Sequence, residues 1–482
     1  MADNIKKKTI KGVAWSSVDK LLTTIVSFVI SILIARLLMP SDYGVVGILY
    51  VLIVFSEIFI DGGLSVALIQ KHKCTEDDFN TTFLYNLAMS VLIYAILYIL
   101  APFIAVFYGK GEISSLLRVM SLTIVISAFS SIQNTKMQIG VDFKRISICS
   151  VVSNLFSGLM GLFAAYKGLG AWALVIQNIS LASMKTVMFN IMSKWHPHLC
   201  FSIESFKSLF SFGYKLILSN ILARIYDNLY PLLIGKLYPM STLGYYSRAQ
   251  HFAHLPVNIL RDVFQRVSFP IMSSIKENRE KLSRIYRLYI EMSSSIVFPI
   301  MFVLIIVAKP IIIVLLTEKW IEAYPFLQIL SFGFMFSHIS AINLNLLYVE
   351  GRSDLALKLE VIKKSVAISI LLISLLGGIW GICIGQALYN MIATILNSYY
   401  TKSLIGVSYM DQVKDFGRVW CYAFVSALLP YFFIYTSSIS NIYKVLIGIC
   451  LYFTIYILIN MLLKTNLFIY SKEIIVNKIN AK

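Results

Sequence analysis

The sequence is short of charge. Only 14% of its 482 residues are Asp, Glu, Lys or Arg, and the acids are scarcest, 24 against 42 Lys and Arg. With 58% hydrophobic residues and a mean hydropathy of +0.78, that scarcity excludes a soluble domain. Uninterrupted apolar runs of about 20 residues match the hydrocarbon thickness of a bilayer. Cysteine is also sparse. Cys74, Cys149, Cys200, Cys383, Cys421 and Cys450 are scattered in or beside apolar stretches, which leaves no disulfide framework or metal-ligand spacing, and they read as small apolar fillers. No cleavage site follows Lys6-Lys7-Lys8, so the first span is expected to be retained. Long polar connections are missing too, so a folded soluble domain on either side of the membrane is excluded and function must reside among the helices.

What the sequence does contain is about fourteen apolar stretches of spanning length, near 12–38, 43–69, 80–107, 113–136, 146–166, 171–193, 207–238, 243–272, 284–316, 323–348, 356–377, 379–400, 415–436 and 442–463. With the N-terminus inside, most Lys and Arg fall on one side, including Lys71, Lys73, Lys144, Arg145, Lys276, Arg279, Lys281, Arg284 and Lys402. That asymmetry predicts cytoplasmic N- and C-termini. It also accounts for most of the net charge of +18, so nucleic-acid binding is an unnecessary reading.

The chain repeats at an offset of 200: Ile32–Gly44 (ILIARLLMPSDYG) lies over Leu232–Gly244 (LLIGKLYPMSTLG) without a gap. Leu33, Ile34, Leu37, Ser41 and Gly44 match Leu233, Ile234, Leu237, Ser241 and Gly244. Six spans separate the copies. An even number means that both halves enter the membrane in the same direction, related by an axis along its normal. A second pair, LGAWALVIQ (Leu169–Gln177) and GIWGICIGQ (Gly378–Gln386), sits at a similar offset. The expected organisation is one six-helix bundle over 1–205, a second over 206–405, and two further spans over 406–482.

One stretch breaks the apolar pattern. At 100° per residue, Arg248, His251, His254, Asn258, Arg261, Asp262, Gln265 and Arg266 share one side of the eighth span. Phe252, Val257, Ile259, Leu260 and Val263 take the other. Ionisable side chains within a membrane face protein or water. The seventh span agrees, with Asn220, Arg224, Asp227 and Asn228 on one face, and the first contributes Lys20. These three spans are expected to line one polar chamber in which cations outnumber acids, suited to an anionic guest. Arginine forks match phosphate oxygens. Asp227, one turn from Arg224, is the candidate for ion coupling.

Blander readings stand beside these. Arg248 and Arg266 can snorkel to the interfaces, Arg224 can pair with Asp227, and His251 and His254 can be packing residues. His196–Cys200 (HPHLC) imitates a metal site without further ligands, Asp77-Asp78 reads as a solvated loop pair, and Gly62-Gly63 as a turn or a close-packing position. No metal or cofactor is expected.

DGGLSVALIQKHK (Asp61–Lys73), LYPMSTLGYYSRAQHFAHLP (Leu237–Pro256), VSFPIMSSI (Val267–Ile275) and TEKW (Thr317–Trp320) resemble the Wzx-type polysaccharide flippases of the multidrug/oligosaccharidyl-lipid/polysaccharide exporter superfamily. The resemblance runs over nearly the whole chain. It implies an all-α polytopic membrane protein with two six-helix bundles around a central cationic cavity plus two C-terminal helices. It further implies translocation of an undecaprenyl-pyrophosphate-linked oligosaccharide across the bacterial plasma membrane, alongside membrane lipids, glycosyltransferases and a polysaccharide polymerase. Three rivals compete. An exporter of drugs or organic cations should carry acids in its chamber, a membrane-bound polymerase or ligase should offer a large outer loop, and a peptidoglycan-precursor flippase would share the fold.

Overall fold

The computed structural model describes residues 23–71, 73–466 and 468–469, with the side chains of 212, 215–227, 262, 263 and 266 left undescribed. Among the described residues every regular element is helical, as expected where each backbone amide must be paired within its own segment. The chain divides into two compact units, Met1–Gly244 and Tyr245–Lys482. Among the described residues eight helices are long and apolar enough to cross a membrane, nine if one bent pair counts as a span.

The first unit opens with α1 (Thr23–Leu37), α2 (Pro40–Asp61), α3 (Leu64–Gln70), α4 (Glu76–Tyr108), α5 (Glu112–Met120), α6 (Leu122–Ala128) and α7 (Ser131–Ile139). It continues through the hairpin of α8 (Phe143–Tyr166) and α9 (Ala171–Met192) into α10 (Ile203–Leu237) and the first turn of α11 (Met240–Ser274). Two expected single spans are broken here. The second stops at Gly62 and Gly63, whose φ values of 57° and 70° are left-handed, a region glycine enters without a Cβ penalty. The fourth bends by 42° between α6 and α7. There the hydroxyls of Ser130 and Ser131 bond back to the carbonyls of Ser127 and Ala128, at 3.2 and 3.1 Å, diverting acceptors from the helical ladder.

The repeat appears as a reciprocal contact. A Cβ on Gly44 would lie 1.8 Å from the carbonyl oxygen of Met240, and a Cβ on Gly244 would lie 1.8 Å from that of Pro40. Gly44 and Gly244 are equivalent at the offset of 200, and so are Pro40 and Met240. The first turns of α2 and α11 therefore cross backbone to backbone about a local two-fold, and only glycine fits at either position.

The segment after α9 is strapped onto the start of α4. The Trp195 indole donates to Glu76 at 2.6 Å, and Glu76 also pairs with Lys136 at 2.8 Å. The Lys136 ammonium stands 4.3 Å from the Phe79 ring centroid. Backbone amides of His198 and Ser202 donate to Asn80 and Thr81 at 2.9 and 3.0 Å. HPHLC thus serves as a strap. Asp78 corrects the sequence reading: it is fully buried, paired with Lys71 at 2.7 Å, and accepts from the Thr75 amide at 2.9 Å in a capping box. The acid is needed to start α4. The Cys74 thiol donates to the Leu68 carbonyl at 3.1 Å, and burial pushes its pKa up, consistent with a filler.

The second unit is built around α12 (Arg279–Ile306), followed by α13 (Ala308–Leu316), α14 (Ala323–Phe334), α15 (Ser337–Val349) and α16 (Ser353–Ser374). Next come α17 (Gly378–Asn397), the short α18 (Thr401–Ile405), α19 (Tyr409–Thr436) and α20 (Asn441–Leu462). The expected ninth span, 284–316, is in fact α12 and α13 divided at Val307. Pro310 has no amide to donate and favours the first turn of a new helix, so the chain restarts there. The trailing helices are anchored to α12. Arg287 grips Asp415 of α19 with two bonds, at 2.8 and 2.7 Å, and the Tyr456 hydroxyl of α20 donates to the Ser295 carbonyl at 3.1 Å.

Gly44→Ala and Gly244→Ala should each destabilise the protein by about 1–3 kcal/mol or more through overpacking. The double variant should cost less than the two added together, because one separation of α2 from α11 relieves both clashes. Thermal unfolding of the full chain in detergent checks this. Strict additivity would mean that the two glycines do not share one contact.

Asp78→Ala should cost about 1–3 kcal/mol, since it strips the Thr75 amide and Lys71 of their acceptor. Asp77→Ala, at an exposed neighbour, should stay within about 0.5 kcal/mol. The same melts compare them.

Candidate functional site

Within the second unit α11 presents its polar side outward. His251, Asn258, Arg261 and Gln265 are exposed, Arg248 and His254 are partly covered, and Phe252, Ala253 and Val257 are buried. The cause is the helical period: polar residues recur at three- and four-residue steps on one side, small and apolar ones on the other. The helix runs through Pro256 and Pro270. The His254 ring lies against that of Phe334 with centroids 3.8 Å apart.

Below this face α11 and α15 enclose a cavity of roughly 210 Å³. Its walls are Arg261, Phe264, Gln265 and Ser268 from α11 and His338, Ala341, Ile342 and Asn345 from α15. Each helix contributes positions i, i+3, i+4 and i+7, one face apiece. The polar groups are fixed from behind. The Asn345 amide donates to Ser268 Oγ at 2.9 Å, both side chains buried. His338 Nδ1 stands 2.8 Å from the Met335 carbonyl and Nε2 stands 3.0 Å from Ser294 Oγ. A carbonyl only accepts, so Nδ1 carries the proton and Nε2 accepts from the Ser294 hydroxyl. The imidazole is held neutral in one tautomer. The same bond ties the first turn of α15 back to Met335, the point where the expected tenth span breaks.

The lining therefore offers a guanidinium, two carboxamides, a hydroxyl and a neutral imidazole, and no carboxylate. Such a wall suits an anion or a polyhydroxylated group and repels a cation. Among the described residues no group of three His, Cys, Asp or Glu side chains is placed to hold a metal.

Of the residues singled out from the sequence, Arg261 is the one that lines this cavity. Arg248, His251, His254 and Asn258 lie along the same helix. Asn228, partly exposed, belongs to α10 in the first unit. Lys20 lies outside the described residues, and so do the side chains of Asn220, Arg224 and Asp227. His338, Asn345 and Ser268 were not foreseen. The available signal was the pair His338 and Asn345, seven residues apart and so on one face of an otherwise apolar span.

Residues 33–325 match the family described as "Polysaccharide biosynthesis protein". Among curated proteins the chain is similar to the teichuronic acid biosynthesis protein TuaB of Bacillus subtilis (strain 168), 27% identical over 73% of this chain and 74% of that protein. It is similar as well to the succinoglycan biosynthesis transport protein ExoT of Rhizobium meliloti (strain 1021), 27% identical over 69% of this chain and 67% of that one. Among solved structures it is similar to the lipid II flippase MurJ in an inward closed conformation. That likeness has a TM-score of 0.75 at 16% identity and covers 93% of this chain and 99% of the other. At that identity the likeness speaks for the fold, an all-α polytopic membrane protein. The resemblance read from the sequence agrees with these matches, and since the family match spans more than half of the chain, the protein belongs to the polysaccharide biosynthesis protein family.

Proposed function

We propose that this protein is a flippase. It moves polyprenyl-pyrophosphate-linked oligosaccharide units, precursors of a surface or capsular polysaccharide, from the cytoplasmic to the outer leaflet of a bacterial plasma membrane by alternating access. The observation that carries the reading is the Arg261 cavity, an intramembrane wall of donors without a carboxylate, in a chain of a polysaccharide biosynthesis family. An exporter of organic cations would need the opposite lining.

In this reading the exposed arginines of α11, with Arg224 and Lys20, meet the pyrophosphate by charge-assisted bonds. The carboxamides and hydroxyls of the stripe meet the glycan, and the polyprenyl tail stays in lipid. An inside-negative potential helps the anionic headgroup outward by about 2.3 kcal/mol per charge per 100 mV. The proposed moving bodies are the repeats 1–205 and 206–405. The protein carries no chemistry of its own, and glycosyltransferases and a polymerase supply and consume what it moves.

Arg261→Ala and Arg248→Ala should each lower surface polysaccharide about tenfold or more at unchanged membrane abundance, the loss expected for one charge-assisted bond to substrate. Lys at either position should rescue in part, as a point charge without the fork. Glycan display and immunoblots of membranes measure both. Normal display by both Ala variants would remove these cations from substrate handling.

A further inference from the structure

Among the described residues Lys363 is the one basic side chain classed as buried, 6% exposed. It lies midway along α16, about 15 Å from either end at 1.5 Å per residue. The buried side chains of that helix are Ala356, Leu359, Lys363, Ala367 and Leu371. They recur at three and four residues, so a lysine occupies the centre of an otherwise apolar packing stripe. Its ion-pair partner is Glu360, one turn nearer the start of the helix, in direct contact with it. The two are unequal: the Lys363 side chain is 8% exposed and that of Glu360 is 41%. A buried ion pair is weak support for a packed helix, which a leucine would serve as well. Intramembrane ion pairs mark ion pathways and relays.

We propose that Glu360 is a proton-binding site whose occupancy decides whether Lys363 stays seated. Proton uptake turns the carboxylate into a neutral acid and leaves the ammonium buried without a counter-charge. No compact arrangement of the stripe tolerates that, so protonation shifts the population toward a state in which α16 loosens and Lys363 reaches water. A proton fits where a metal cation does not. The ammonium already fills the space beside the carboxylate, and a sodium ion would need its own shell of oxygens at the same point.

The groups around the pair leave it this role. On α16 itself Lys358 and Lys364 add positive charge. From α15, Tyr348 lies within electrostatic reach of Glu360, while His338 is occupied by Ser294 and Met335. Tyr400 packs beside Leu359, and α17 contributes only Cys383 and Tyr389 as titratable groups. No second acid stands by to receive Lys363. The site itself does not depend on the proposed function, whereas its use in driving transport does.

The test needs no transport substrate. Ala367, fully buried one turn beyond Lys363, is replaced by cysteine in the full chain. The protein is placed in liposomes, and N-ethylmaleimide labelling of that peptide is followed by mass spectrometry. At about pH 8, adding Glu360→Gln should speed labelling about fivefold or more, and at about pH 5 the two proteins should label alike. Comparison at one pH cancels the intrinsic thiolate effect. Combining Lys363→Met with Glu360→Gln should return labelling to the slow rate at both pH values. If Ala367→Cys is absent from the membrane, Leu371→Cys reports on the next turn of the stripe. Three results would each overturn the proposal: no effect of Glu360→Gln, fast labelling in the double variant, or a response to sodium at constant pH in place of the response to pH.

Discussion

Hydrocarbon solvates neither a charge nor an unpaired amide, and the internal organisation of both units answers to that constraint. Backbone amides are paired within helices, so connections are short and breaks are few. Where a helix does break, a local device takes over the freed groups: left-handed glycines after α2, serine hydroxyls before α7, a proline inside the first turn of α13, a histidine at the start of α15. Charged side chains are either gathered at helix ends in pairs or collected on one side of one helix. Arg287 with Asp415 and Lys71 with Asp78 belong to the first kind, and the polar stripe of α11 to the second.

Close approach supplies the second layer of order. In α2 and α11 a glycine meets the carbonyl of its repeat counterpart, so the two copies of one sequence pattern recognise each other across a local two-fold. A similar contact pins α10. A Cβ on Gly63 would lie 2.7 Å from the Gly213 carbonyl oxygen, and one on Gly213 would lie 2.4 Å from that of Gly62. The DGG turn therefore does two things: it ends α2, and it lets another helix touch the chain at the bend.

The features that could be read from the sequence are those that depend on periodicity alone. The all-helical membrane class, the offset of 200 and the polar side of α11 need only residue types and a 3.6-residue period. What escaped depends on partners distant in sequence. Asp78 looks solvated beside Asp77 until Lys71 and the turn at Thr75 close over it. His338 and Asn345 look like isolated polar residues until Ser294 and Ser268 arrive from α12 and α11. Lys363 looks like part of a basic helix entry until the neighbouring buried positions place it on the packing stripe. Helix breaks escaped for a related reason: an apolar run reads as one span whether or not a proline or serine diverts its ladder.

The account's central claim is that a membrane protein with a carboxylate-free polar wall carries an anionic lipid headgroup and its glycan across the bilayer. The direct measurement reconstitutes the purified protein in liposomes that hold a polyprenyl-pyrophosphate-linked oligosaccharide. An impermeant lectin follows the arrival of glycan at the outer surface, and a fluorescent organic cation is loaded as a control. The account predicts protein-dependent appearance of glycan and no faster loss of the cation than from empty liposomes. Export of the cation, with glycan reaching the surface no faster than in protein-free liposomes, would contradict it.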